Sequence, residues 1–322
     1  MHMRNVAFAA LALLVSTVLH AQGPAWPSKP IRWIIPYPPG GITDGATRLV
    51  VQKVAEQTGW TIVVENKPGA NSILGADIVA KATPDGYTFL TVIAAHAANA
   101  TLYAGKLPFD AVKSFAPVSL VGIAPLIMTS NNDLPAKDIK GLIADARANP
   151  GRISYGSSGV GAAAHLTTEL FNQTAGVQMV HVPYKGSAPM VTDLIAGQVD
   201  ASMDAATSSW PHVQTGKLRP LGVSTKERAF FAPELPPIAQ FVPGFDVKPW
   251  HGVMAPARTP QPIIDKLSSE IQAFVKDPAT QQKLKDRGVV PVGSTAQEFA
   301  KVMNDEYELY RQVVRDAGIK PE

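Results

Sequence analysis

Short apolar runs that do not alternate with polar residues, each followed by a turn or glycine-rich break and then a helical pattern, constrain this chain most. Trp33-Ile34-Ile35 and Ile62-Val63-Val64 are apolar at consecutive positions. Side chains along a strand point alternately to its two faces, so such runs read as strands covered on both sides, as in open sheets flanked by helices. The first half reads as strand 31–35, helix 43–57, strand 61–65, helix 73–82 and strand 87–93. Gly59 ends the first helix, and Pro84-Asp85-Gly86 turns into the third strand. A second set repeats the architecture: helices 136–148, 162–174, 188–196 and 206–215 alternate with strands 152–155, 178–182, 199–203 and 218–223. A single core seldom grows past about 250–300 residues. The pattern therefore predicts an α/β protein of two lobes with doubly wound, mostly parallel sheets.

A proline-rich stretch, 233–249, interrupts the alternation. After it come an apolar segment at 252–255 and helices near 262–276 and 296–317, which have no sheet of their own and are assigned to the first lobe. The chain then crosses twice, near 118–128 and 245–255, and two crossings make a hinge. The expected division is lobe one, 22–122 with 250–322, and lobe two, 123–249. The first 21 residues stand apart: Arg4 precedes an apolar run from Val6 to Leu19, and Ala21 offers a small residue for cleavage. That run suits a secretory leader and is short for a membrane span, so the mature protein is expected in the periplasm.

The chain has no cysteine, which excludes a disulfide framework, thiolate metal sites and cysteine nucleophiles. Its formal charge of +3, falling to +2 when Arg4 leaves with the leader, is too small and scattered for a nucleic-acid footprint. Hydrophobic residues at 46% against 17% charged are ample for large cores.

Two strand-to-helix junctions are rich in glycine: Pro36-Tyr37-Pro38-Pro39-Gly40-Gly41-Ile42-Thr43-Asp44 and Gly156-Ser157-Ser158-Gly159-Val160-Gly161. A helix start leaves backbone N–H groups unpaired at the positive end of its dipole, and glycine lets a ligand approach them. Each junction is a candidate anion site, and the two could close on one acidic ligand from opposite lobes. Thr43 or Asp44 can also cap the helix, and Asp44 suits that role better than contact with an anion. Gly159, Gly161 and Ala164 fit G-x-G-x-x-A, but the acidic residue a dinucleotide's ribose requires about 20 positions later is missing, since the next strand ends at Met179-Val180-His181. Ser158 fails the nucleophile-elbow pattern because Val160 stands where glycine is needed, and His165 reads as packing beneath the loop. No histidine pair has metal-ligand spacing. No cofactor, metal or catalytic residue is expected. Tyr184-Lys185-Gly186 precedes another helix start at Ser187, Asp204 follows a strand, and His96 and Asn99 follow the strand ending at Ile93; such strand ends face the ligand crevice in open α/β sheets.

These loops, together with Val64-Glu65-Asn66-Lys67-Pro68-Gly69-Ala70, Val182-Pro183-Tyr184-Lys185-Gly186 and Gly216-Lys217-Leu218-Arg219, resemble in order the Bug receptors, the extracytoplasmic solute-binding proteins of tripartite tricarboxylate transporters. The resemblance spans essentially the whole mature chain. It departs at Asn71-Ser72-Ile73-Leu74-Gly75, where the family is usually richer in glycine. It implies a type II periplasmic-binding-protein fold that holds a small mono- or dicarboxylate, aliphatic or aromatic, through main-chain amides, hydroxyls and water. It also implies membrane permease subunits as partners, and the receptor is expected to be a monomer. The candidate ligand contacts are Tyr37, Pro39, Gly40, Gly41, Thr43, His96, Asn99, Ser157, Ser158, Gly161, Ala162, Tyr184, Lys185, Gly186 and Asp204. Two other readings stay open at this level: a subunit presenting bound ligand to a membrane kinase, and a periplasmic hydrolase of a carboxylated compound.

Overall fold

The computed structural model describes residues 26–320; the expected leader and its cleavage point lie outside them. The chain runs β1 (Ile31–Ile35), α1 (Ile42–Thr58), β2 (Ile62–Asn66), α2 (Ile73–Ala80), β3 (Thr88–Ile93), α3 (Ala95–Leu102) and β4 (Phe115–Ile123). It then continues through β5 (Leu126–Ser130), α4 (Ile139–Ala148), β6 (Ser154–Ser157), α5 (Ala163–Ala175), β7 (Val180–Pro183), α6 (Ser187–Ile195), β8 (Ala201–Ala205), α7 (Ala206–Gln214) and β9 (Arg219–Val223). Last come β10 (Trp250–Pro256), α8 (Gln261–Lys276), α9 (Pro278–Lys285), β11 (Val290–Pro291) and α10 (Ala296–Asp316).

The strands form two sheets, ordered β11-β4-β10-β3-β1-β2 and β7-β6-β8-β5-β9, one per lobe. Both sheets are mixed, not mostly parallel. β1 pairs parallel with β2 and β3, and β6 with β7 and β8, whereas β10 is antiparallel to β3 and β4, and β5 to β8 and β9. The cause is the double crossing. β5 and β10 carry the chain into a sheet from the other lobe, so they begin at the edge where β3 and β8 end: His251 pairs with Ile93, and Leu126 with Ala205.

β1 is buried on both faces, as its unbroken apolar run requires. Ile31, Trp33 and Ile35 pack with α1 and α8, while Ile34 packs with Ala76 of α2 and Leu90. The second continuous run behaves differently: β2 is an edge strand, and Val63 is 48% exposed. α3, within Ala95-His96-Ala97-Ala98-Asn99-Ala100, has no apolar periodicity to announce it, and α9 begins right after α8 on an Asp277 cap that accepts from the Thr280 N–H at 2.8 Å. The lobes touch. Leu166 of α5 is buried with Leu102, Trp250 and Phe299 of lobe one, and the Gln173 side chain donates to the Val313 carbonyl of α10 at 3.2 Å.

Candidate ligand site between the lobes

Of the ten helix starts among the described residues three carry a side-chain cap, and α2 and α8, which start at Ser72 and Pro260, are among those without one. Away from the cleft, α4 is capped by Asp138, which accepts from the Gly141 N–H, α9 by Asp277, and α10 by a reciprocal Thr295–Glu298 capping box. The helices that follow β1, β3, β6, β7 and β8 start at Gly41, Ala94, Ala162, Gly186 and Ala205, and none of these residues supplies a side-chain cap. Glycine and alanine cannot satisfy the first-turn N–H groups, so those groups are left for solvent or a ligand.

Several of these starts border one cleft of about 140 Å³. Lobe one contributes Thr43, Ile93 and Ala94, and lobe two contributes Ala163 and Ala205. The crossings supply Ala124 from one and Pro249, Trp250 and His251 from the other. Among the described residues no charged side chain lines it. Its polar side chains are Thr43 and His251, whose Oγ1 and Nε2 lie 3.4 Å apart, together with the Trp250 indole. The ladder between β10 and β4 shifts register between His251 and Gly252, an irregularity of the kind that re-aims side chains. His251 Nδ1 is buried without a hydrogen-bond partner, and the buried Trp250 indole lies against the Glu306 carboxyl.

The first loop is built around Asp44. Its carboxylate accepts from the Gly40 N–H at 3.0 Å, from Arg48 Nε at 3.0 Å and from Asn66 Nδ2 at 2.8 Å. Burial pushes this carboxyl up, but those bonds outweigh it and hold it below the ordinary range. Asp44 thus locks the loop, while Pro39, Gly40 and Gly41 remain exposed at its tip. Tyr37 is half-buried, and its hydroxyl lies inward beside Ser72, where burial raises its pKa. The neighbouring segment that departs from the glycine-rich pattern holds Ala70, Asn71 and Ser72 in succession at φ 46°, 49° and 74°. Left-handed backbone costs non-glycine residues roughly 1–2 kcal/mol each. Asn99 braces the segment by donating to the Asn71 carbonyl at 2.7 Å and accepting from Asn71 Nδ2 at 2.8 Å.

In the second loop Ser157 is fully buried. Its Oγ lies 2.7 Å from His181 Nε2, accepts from the Gly159 N–H at 3.2 Å and donates to the Gly159 carbonyl at 3.1 Å. A hydroxyl so engaged shapes the loop and is poorly placed to act as a nucleophile. The Gly161 N–H donates to His165 Nδ1 at 3.1 Å, and the His165 and His181 rings stack 3.7 Å apart. Gly161 adopts φ +75°, and a Cβ there would lie 2.7 Å from Leu102 Cδ1 of lobe one. Ser158 is half-buried and its carbonyl accepts from Gly186 N–H at 3.2 Å, tying this loop to the next; Ala162 begins α5.

Of the sequence candidates only Thr43 is among the residues that line the cleft. His96 packs against Phe109 and Phe115 and bonds the Ala111 carbonyl at 3.0 Å, so it is a core histidine. The Tyr184 hydroxyl donates to Asp193 at 2.9 Å, and burial followed by that carboxylate pushes it up to about 12. Lys185 is exposed. Asp204 is buried beneath the starts of α6 and α7, and burial raises its carboxyl against bonds from Ser187, Ala205 and Ser208. Sequence reasoning missed Trp250, His251 and the alanines. The crossing near 245–255 pointed toward the first two, but nothing in an alanine's chemistry announces it.

His96, His165, His181 and His251 are all held neutral by burial, their pKa values pushed down to about 4, 3, 4 and 4. Below about pH 6.5 the unfolded chain takes up protons that the folded chain refuses, so this stability is present above 6.5 and is lost as pH falls toward 4. Glu306 opposes the trend. Burial pushes it up to about 7, so it gains stability as pH falls from 7 to about 4.5. Four groups outweigh one, and urea denaturation should show stability falling between pH 7 and pH 4 by on the order of 2 kcal/mol or more. Unchanged or rising stability over that range would mean these histidines are not buried neutral.

Residues 46–319 match the family described as the tripartite tricarboxylate transporter family receptor. Among solved structures, an R. palustris protein with adipate is 34% identical with a TM-score of 0.81, covering 92% of this chain and 100% of its own. The periplasmic binding protein BugD is 32% identical with a TM-score of 0.77 over 92% and 100% of the two chains. MatC from Rhodopseudomonas palustris, with bound malate, is 28% identical with a TM-score of 0.76 over 90% and 100%.

Proposed function

The chain belongs to the tripartite tricarboxylate transporter receptor family, and from that premise we propose that it captures a small carboxylate between its lobes and hands it to the permease subunits of a tripartite transporter. The observation that carries this reading is a cleft, bordered by the uncapped starts of α1, α3, α5 and α7, that no charged side chain lines among the described residues. Such a site holds an anion by oriented N–H dipoles and leaves it chemically untouched. The relatives solved with adipate and malate support the ligand class. The lobes are taken as 22–122 with 250–322 and 123–249, the receptor as a monomer, and the leader as cleaved near Ala21 on export to the periplasm.

Thermal-shift screening against aliphatic and aromatic carboxylates tests the proposal. At about 100 times its Kd a true ligand adds roughly 2.7 kcal/mol of stability, a shift of several degrees in Tm. A broad panel of carboxylates with no such member would overturn the receptor reading.

A further inference from the structure

We infer that the ligand is a monocarboxylate with an apolar body, either one six-membered ring or an alkyl chain of similar bulk, and not a hydroxylated di- or tricarboxylate or an amino acid. The inference rests on the receptor reading and narrows it. Its basis is the lining of the cleft. Ala94, Ala163 and Ala205 stand at the uncapped starts of α3, α5 and α7, whose first turns are the donors available to one carboxylate, while their methyl groups, with Ile93, Pro249 and Trp250, make the rest of the wall apolar.

Polar bodies are poorly served there. An α-ammonium needs an acidic partner when buried, and no acidic side chain lines the cleft among the described residues. Asp204 is buried against Ser187 and Ser208 instead. Hydroxyls and second carboxylates would find chiefly Thr43 and His251, which already face each other at 3.4 Å, and the Trp250 indole, which lies against the buried Glu306 carboxyl. Buried groups left without partners weaken binding, and a site built on that principle rejects them. Size agrees with chemistry: the cleft measures about 140 Å³, and an apolar cavity of about 150 Å³ accommodates benzene. The alanines at 124, 163 and 205 make that room, because larger side chains at those positions would fill it.

Calorimetry with benzoate, hexanoate, malate, citrate and glutamate at pH 7 tests the inference. Benzoate or hexanoate should bind at least tenfold more tightly than any of the three polar-bodied acids. Tighter binding of malate, citrate or glutamate would overturn the apolar body while leaving the receptor reading intact; no binding by any of the five, together with an empty carboxylate screen, would overturn both. Ala205→Leu fills the cleft from lobe two, and it should lose benzoate or hexanoate binding at least tenfold. Wild-type affinity in that variant would show that the body sits elsewhere and would also overturn the inference. The ligand series needs no variant, so it decides the matter even if Ala205→Leu fails to fold.

Discussion

Gly161→Val is expected to weaken ligand binding by 100-fold or more while the protein still unfolds in a single cooperative transition. Two costs combine at this position. The backbone sits at φ +75°, where a β-branched residue is strained by roughly 1–2 kcal/mol or more. The larger cost falls on the approach of the lobes. A Cβ would lie 2.7 Å from Leu102 Cδ1 on the far side of the cleft and 3.4 Å from Asn71 Nδ2. A valine must therefore displace the buried Leu102 side chain or hold the lobes apart, and binding shifts an open–closed equilibrium only as far as the ligand can reach both sides. Leu102→Ala in the Gly161→Val background should recover part of the affinity by removing the opposing side chain. Binding within threefold of wild type in the single variant would show that lobe contact at Gly161 does not matter for capture.

Gly252→Val is expected to destabilise the protein by more than about 3 kcal/mol. The position lies in β10, where a Cβ would fall 2.2 Å from Cζ of Phe299, with both Cε atoms within 2.9 Å. Phe299 is fully buried in the core formed by α3, α10 and Trp250, so its ring has nowhere to go without displacing α10. Overpacking usually costs about 1–3 kcal/mol, and more where neighbours cannot yield. Urea denaturation reads the effect directly. Because Trp250 and His251 immediately precede this glycine, the variant should also bind ligand more weakly at temperatures where it stays folded. A loss below about 1 kcal/mol would mean that α10 can shift freely over β10.

What could be read from the residues was the chemistry of the backbone. Unbroken apolar runs and glycine breaks located the strands and helix starts; of the two glycine-rich junctions, the first brings only Thr43 to the cleft lining, and the second stops just short of Ala163. Side-chain direction was not legible. His96 and Asn99 sit at the right strand end, yet α3 turns His96 toward Phe109 and Phe115 and sets Asn99 against Asn71. Ser157 has the right chemistry, but the loop consumes its hydroxyl. The parallel character of the sheets was overestimated because a strand's direction depends on the lobe from which the chain enters, which local pattern does not record. The cleft itself was invisible for a further reason: it is made by small side chains, and space is a property of several segments at once. His251 escaped notice because only the β10–β3 pairing brings it beside Thr43.

We propose that the protein recognises a carboxylate group by its negative charge through the N–H groups of helix starts. Calorimetric titration of the carboxylate selected by the thermal-shift screen, alongside its methyl ester of nearly the same shape, tests this most directly. Saturable binding of the acid and at least 100-fold weaker binding of the ester are expected, since the ester removes the charge that the helix dipoles stabilise. Equal affinity for acid and ester would contradict it.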